Sequence, residues 1–353
     1  MKRILSLDGG GIRGVFTLQI LGRIEALFRQ QANNPQLVLA DVFDLIAGTS
    51  TGAIIATFLS WGMEVRSIEH EYIAHGAEMF TRERWYRRWK AKYRADAIAH
   101  YFRRTFAEAD GTPALFGSKR LRTLLLIVIR NASTGSPWPL SNNPKALFNL
   151  PSCPECNLRI PLWELLRAST AAPSFFPPQE ITLEGRTDLV VDGGMTPYNN
   201  PALIAILMAT LPGYRLQWPS NRRSLHVISV GTGVARAQLP RKLAKDINML
   251  DQLKYLAPAL IGATALEQDA ICRILGDCLH GPPIDTEMGL LNEPTLFSAA
   301  EQKFTYVRYD CPLGSSELKG RSTLDNLQLI PWLQNEGKRY ASTVQVEHLS
   351  PRG

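Results

Sequence analysis

Apolar and polar positions along this chain predict strands and helices that take turns. Residues 3 to 7, Arg-Ile-Leu-Ser-Leu, read as a short strand running into Asp8-Gly9-Gly10-Gly11-Ile12-Arg13-Gly14. Val15, Leu18, Ile20, Leu21, Ile24 and Leu27 then recur at helical spacing, which predicts an amphipathic helix to about Arg29. A second apolar strand from Phe43 meets Gly48-Thr49-Ser50-Thr51-Gly52 and passes into an apolar helix from Ala53. Residues 64 to 80 are helical in pattern, Leu121 to Arg130 is a buried-strand candidate, and Asn131 to Asn143, rich in Ser, Pro and Asn, reads as a loop. Pro161 is well placed to open a helix through Ala168. Ile181–Leu183 and Leu189–Val191 form a hairpin through Glu184-Gly185, and its second strand ends in Asp192-Gly193-Gly194. Asn199-Asn200-Pro201 opens an apolar helix to Leu211, and Leu225 to Val230 is a strand ending in Gly231-Thr232-Gly233. Mainly helical segments follow, with a strand at Phe304 to Tyr309 and a last helix within Asp325 to Val344. The class is α/β.

Composition changes this picture little. At 353 residues the length suggests about two domains, whereas the chemistry below favours one large α/β unit. Hydrophobic residues at 45% and charged residues at 20% are ordinary for a soluble globular protein. Asp8 and the glycines after it interrupt any signal-peptide core behind Lys2 and Arg3. The best apolar run, Leu124 to Ile129, is far short of the ~20 residues of a membrane span. Five thinly spread cysteines suit reduced thiols in a cytosol. Cys153 and Cys156 make a C-x-x-C with no second pair at zinc spacing, so loop cysteines are expected rather than a metal site.

Charge adds more. The net +7 favours an anionic partner: a membrane surface, a nucleotide or a nucleic acid. Much of it falls in residues 82–104, where Arg84, Arg87 and Arg88 lie among aromatics. Trp85, Trp89 and Tyr93 sit at i, i+4 and i+8, on one face if the stretch is helical. Such a helix lies on an anionic membrane, lines a phosphate site, or packs its Trp face on the core with a solvated charged face. All three readings stand at this level.

The chemistry centres on Gly48-x-Ser50-x-Gly52. Glycines two residues either side of a serine let a strand reverse sharply into a helix, lifting the hydroxyl to the top of a sheet beside the positive end of the helix. Ser50 is therefore a candidate nucleophile. The first loop also satisfies G-x-G-x-x-G through Gly9, Gly11 and Gly14. A dinucleotide fold requires a second strand ending in an acidic residue about twenty residues on; that distance lands in the polar linker Gln30 to Gln36, so the reading fails. The other use of such a loop is to aim backbone N–H groups at an oxyanion.

A serine needs a base. Among six histidines only His280 falls in a predicted loop after Asp192, which leaves a Ser–His–Asp triad open. The alternative is a direct dyad in which Asp192 takes the proton of Ser50.

Asp8-Gly9-Gly10-Gly11-Ile12-Arg13-Gly14, Gly48-Thr49-Ser50-Thr51-Gly52 and Asp192-Gly193-Gly194, in this order, resemble the patatin-like phospholipases. Ala168-Ser169-Thr170-Ala171-Ala172-Pro173 and Ser229-Val230-Gly231-Thr232-Gly233 resemble further blocks of that family. The likeness covers about residues 1 to 235. It implies a three-layer α/β fold with a central, mostly parallel sheet flanked by helices, and metal-independent hydrolysis of acyl esters of membrane lipids. It further implies Ser50 as nucleophile, Asp192 as base and the turn Gly9, Gly10, Gly11 as oxyanion hole, most of all Gly10 and Gly11. Gly48, Gly52, Gly193 and Gly194 support these residues; Arg13 binds substrate phosphate, braces the glycine loop or forms a structural ion pair. The expected organisation is a lipase domain over 1–310, with a basic aromatic helical insert at about 80–110, and a C-terminal helical extension over 311–353 packed on it.

The chain also resembles a narrower group, the bacterial antiphage patatin phospholipases switched on by a cyclic nucleotide to damage the cell's own membrane. That likeness implies a cyclic di- or trinucleotide activator but no cofactor, action at the inner face of the cytoplasmic membrane, no nucleic acid polymer as partner, and a homo-oligomer as an open option. Constitutive lipid acyl hydrolysis is the alternative. From other classes, a nucleotide-binding regulator or a peripheral membrane adaptor with a vestigial site remains.

Overall fold

Strands whose side chains are buried on both faces build the centre of the molecule. The structure, a computed structural model, describes residues 1–79, 93–234, 239, 247–291, 297–314 and 324–350. Its strands are β1 (Lys2–Leu7), β2 (Leu45–Thr49), β3 (Leu124–Asn131), β4 (Pro137–Ser141), β5 (Gln179–Leu183), β6 (Arg186–Asp192), β7 (Leu225–Val230), β8 (Asp277–His280) and β9 (Thr305–Tyr309). Among the described residues they form one sheet in the order β5-β6-β3-β2-β1-β7-β9-β8, with β4 beside β3. Five neighbouring pairs, from β3/β2 to β9/β8, are parallel; β4, β5 and β6 pair antiparallel.

Helices cover both faces, as parallel sheets require. They are α1 (Gly14–Gln31), α2 (Thr51–Ser60), α3 (Val65–Met79), α4 (Ala95–Thr105), α5 (Leu162–Ser169), α6 (Ala202–Thr210), α7 (Met249–Leu275) and α8 (Ile330–Ala341). The two-residue period of a strand assigns each side chain to a layer. Leu5, Leu7, Ile228 and Val230 join the core under α1, α2 and α5, whereas Ile4, Leu225 and Val227 join the core under α6. The α/β three-layer architecture expected from the sequence is the one observed.

Registers decide what happens at the strand ends. Along one edge of β3, β2 pairs as far as Thr49↔Val128. On that same edge β6 takes over at Ile129↔Asp192, because β4 occupies the other edge over Leu126–Arg130. Consecutive residues of β3 thus hold the last residue of β2 and the last residue of β6. Ser50 follows Thr49 directly, so one strand aligns it with Asp192.

Two expectations need correction. The stretch Asn131 to Asn143 is not all loop, since Pro137–Ser141 forms β4. Pro137 and Pro139 suggest a loop because they lack an N–H, yet a strand paired on one side tolerates them. His280 is not in a loop but on β8 at the opposite sheet edge, four strands beyond β2. There its ring stacks on His348 (4.6 Å) and lies 5.2 Å from that of Tyr309.

Of the basic aromatic stretch, residues 80–92 with Arg84, Arg87, Arg88, Trp85 and Trp89 lie outside the described residues. Tyr93 precedes α4 and is buried; its N–H donates to the Phe175 carbonyl and its hydroxyl to Asp325. At the far end of the chain, α8 packs on α1 with Tyr340 stacked on Phe16 at 5.8 Å.

Candidate active site

Ser50 sits between β2 and α2 with φ +55° and ψ −122°. A non-glycine residue held there stores on the order of 1–3 kcal/mol of strain. Its surroundings leave no other path. A Cβ at Gly48 would lie 2.2 Å from the Gly52 carbonyl oxygen, and one at Gly52 would lie 2.2 Å from that of Leu7. Strand, turn and helix therefore approach at backbone distance, and the G-x-S-x-G spacing is the sequence trace of that approach.

The Ser50 hydroxyl donates to Asp192 Oδ2 at 2.7 Å. The other carboxylate oxygen, Oδ1, accepts the Gly194 N–H at 2.7 Å, which fixes the carboxyl plane. Gly193 passes close to the Val128 carbonyl, where a Cβ would stand at 2.3 Å. Burial pushes the Asp192 carboxyl up to about 6, against the Gly194 N–H, the Ser50 hydroxyl and the Arg167 charge, all of which favour the carboxylate. A group with that value is ionised at neutral pH yet still basic enough to take a proton.

The glycine turn lines the same cleft as Ser50 and Asp192. Its carbonyls are tied to protein. Gly9 O accepts from Thr232 Oγ1 and Asn199 Nδ2, both at 3.4 Å. Gly10 O accepts from Arg13 Nε at 3.3 Å, and Gly11 O from the Tyr72 hydroxyl at 2.7 Å. In a trans peptide each N–H points away from the preceding carbonyl. Holding Gly9 O and Gly10 O therefore orients the N–H groups of Gly10 and Gly11, which donate to nothing among the described residues. The Gly9 N–H differs: it donates to Asn199 O at 3.1 Å. Gly11 has φ +59°, which favours glycine.

Arg13 is the brace of this loop. Besides Gly10 O it donates from Nη1 to Gly233 O at 2.7 Å. Behind the loop lies a buried ion network that the sequence reading missed. Arg308 grips Asp8 with both amino groups, Nη1 to Oδ1 at 2.8 Å and Nη2 to Oδ2 at 2.6 Å, and bonds Asp310 at 2.7 Å. Burial pushes Asp8 up to about 6, with Arg308 opposing the shift.

Three other contributors were also missed. Ser169 Oγ accepts the Ser50 N–H at 2.9 Å and donates to Val128 O at 2.7 Å. Tyr72 accepts from Thr51 Oγ1, joining the glycine loop to the serine turn, and burial pushes its hydroxyl up to about 12, so it stays a donor. Arg167 is buried with its Nη2 on Pro177 O at 2.6 Å. Ser169 lies within a block singled out for its resemblance and Arg167 just before it, but nothing in their spacing assigns them a partner.

The cleft encloses about 130 Å³. Away from the polar groups its wall is aliphatic and aromatic, with Ile54, Ile98, Phe175, Phe176 and Ile261. His280 is remote from it, so the Ser–His–Asp arrangement is not formed.

Residues 5–206 match the family described as patatin-like phospholipase. The chain belongs to the patatin-like phospholipase family. The three segments that resemble this family in sequence are brought together at the cleft. A cGAMP-activated phospholipase of Vibrio cholerae is 32% identical over 214 residues, covering 58% of this chain and 56% of that protein. A cGAMP-activated phospholipase of Escherichia coli is 29% identical over 238 residues, 65% of this chain and 62% of that one. Patatin-16 of Solanum tuberosum is 26% identical over 252 residues, 66% of this chain and 61% of that one. Each match thus spans less than two thirds of the relative's own length. No helix among the described residues is long and apolar enough to cross a membrane.

Proposed function

We propose that this patatin-like chain is a serine acyl hydrolase that cleaves fatty-acyl esters of phospholipids by a Ser50–Asp192 dyad. The observation that carries the reading is the 2.7 Å hydrogen bond from Ser50 Oγ to Asp192 Oδ2, beside two open backbone donors in an apolar-walled cleft. Ser50 attacks the ester carbonyl as Asp192 accepts its proton. The Gly10 and Gly11 N–H groups stabilise the tetrahedral oxyanion, an effect for which loss of one donor typically costs ~10²–10³ in turnover. The alcohol leaves with the proton held by Asp192. Asp192 then takes a proton from water as the water oxygen attacks the acyl carbon; the bond to Ser50 Oγ breaks, the fatty acid leaves, and Asp192 returns the proton to Ser50.

The aliphatic and aromatic wall suits an acyl chain and leaves the ester as the polar end. Because two relatives are named as cGAMP-activated, we extend the proposal to activation by a cyclic di- or trinucleotide, with membrane degradation in antiphage defence as the outcome.

The test is fatty-acid release from anionic phospholipid vesicles, wild type beside Ser50→Ala, with and without a panel of cyclic di- and trinucleotides. Release that requires Ser50 and one nucleotide supports both parts. Release that requires Ser50 but no nucleotide keeps the hydrolase and removes the switch. Equal release by folded Ser50→Ala overturns the dyad.

A further inference from the structure

Helix α7 is buried at one end and bare at the other. Its C-terminal half is anchored: Cys272 is in the core, and the buried Arg273 pairs with Asp269 at 2.7 Å. Its N-terminal half carries its apolar side chains in solvent, with Leu256 53% and Leu260 58% exposed one turn apart, and Met249 75% exposed. Between Lys254 and Glu267 no residue bears a charge. Exposed aliphatic groups on an ordered helix are unfavourable in water, and their burial would recover that free energy.

Two observations identify what covers them. Ile261, next in the chain after Leu260, lines the Ser50 cleft, so the bare half of α7 borders the apolar wall inside. Met195 also lines the cleft and is 36% exposed, and its carbonyl accepts Arg130 Nη1 at 2.8 Å. Aliphatic groups and a guanidinium thus flank one opening on a chain of net charge +7. That pairing fits hydrocarbon below a layer of phosphates. A second copy of the chain seated there would close the opening to substrate.

We propose that the N-terminal half of α7 and the Met195–Arg130 rim form the surface that docks on an anionic phospholipid bilayer. The docked geometry keeps an acyl chain in apolar contact from the bilayer to Ser50. The proposal rests on the acyl-hydrolase reading of the cleft, but its main readout does not need turnover.

The experiment is flotation of the full chain with vesicles of phosphatidylglycerol and phosphatidylethanolamine, in a Ser50→Ala background, with and without Leu256→Asp/Leu260→Asp. The expected result is at least a tenfold loss of vesicle partitioning in the double variant, and weaker binding of the parent to pure phosphatidylcholine vesicles. In the Ser50 background, hydrolysis of a soluble short-chain ester is expected to be unchanged by the double substitution. Undiminished partitioning of the double variant overturns the proposal. So does a fall in mass from oligomer to monomer by light scattering with partitioning intact, which would assign the face to a second copy. If the wild type hydrolyses neither ester nor lipid while partitioning still depends on Leu256 and Leu260, the hydrolase reading fails and the docking surface stands.

Discussion

Asp192 carries the sharpest expectation at the scale of single residues. Its carboxyl lies at about 6 when folded, against a usual 3.8, with burial as the main cause. Only the carboxylate can accept the Ser50 proton, so kcat/KM should rise with pH along an acid limb centred near 6. The same shift bears on stability. Between those two values the folded state binds more protons than the unfolded state, so this group makes stability fall as pH rises from about 4 to about 6. At ~1.4 kcal/mol per unit, the difference between wild type and Asp192→Asn should move against wild type by about 3 kcal/mol across that window. Urea titrations at pH 4 and 7 measure it, and subtracting the variant removes the parallel contribution of Asp8. Tyr72 gives a second test. Tyr72→Phe removes the tie to Gly11 O without opening space, so kcat for vesicle lipid should fall on the order of tenfold, about the worth of one hydrogen bond, with KM little changed. A rise in KM with kcat unchanged would instead assign Tyr72 to substrate binding.

For the elements, close backbone approach decides what is tolerated. Gly52→Ala would push a Cβ to 2.2 Å from the carbonyl oxygen of Leu7 in β1, and neither α2 nor β1 can retreat within a buried sheet. A loss of about 3 kcal/mol in urea unfolding is expected. Gly135→Ala is the control. Its φ is +77° but nothing lies within 4 Å, so the cost should be about 1 kcal/mol. A loss at Gly52 no larger than that at Gly135 would remove crowding as the reason for glycine in the serine turn.

Across the whole molecule, Arg308 joins parts that are distant in sequence. It reaches from β9 to Asp8 after β1 and to Ser229 of β7, and β9 lies beyond the residues matched to the family. Arg308→Met would leave Asp8 and Asp310 buried without their cation, which typically costs 3–5 kcal/mol. A destabilisation of that size is expected by chemical denaturation, and Arg308→Lys should recover only part of it because one ammonium cannot grip both carboxylates in a fork.

Most of the outline of the candidate site could be read from local pattern. Period-two and period-3.6 runs placed β1, α1, β2, α2 and β7, because each depends on residues adjacent in the chain. The glycine spacing around Ser50 and the Asp192-Gly193-Gly194 end of a strand were legible for the same reason: short-range sterics leave a short-range signature. Only the tertiary structure could place His280 on a remote edge strand, turn Pro137–Ser141 into β4 and bring Asp192 beside Ser50 through the shared register on β3. It alone paired Ser169 with the Ser50 N–H, Tyr72 with Gly11 and Arg308 with Asp8. Those contacts join residues dozens to hundreds of positions apart, and a single sequence records the partners' identities but not their distances. The sequence by itself determined which groups are available for chemistry; the packing of the sheet decided which of them meet.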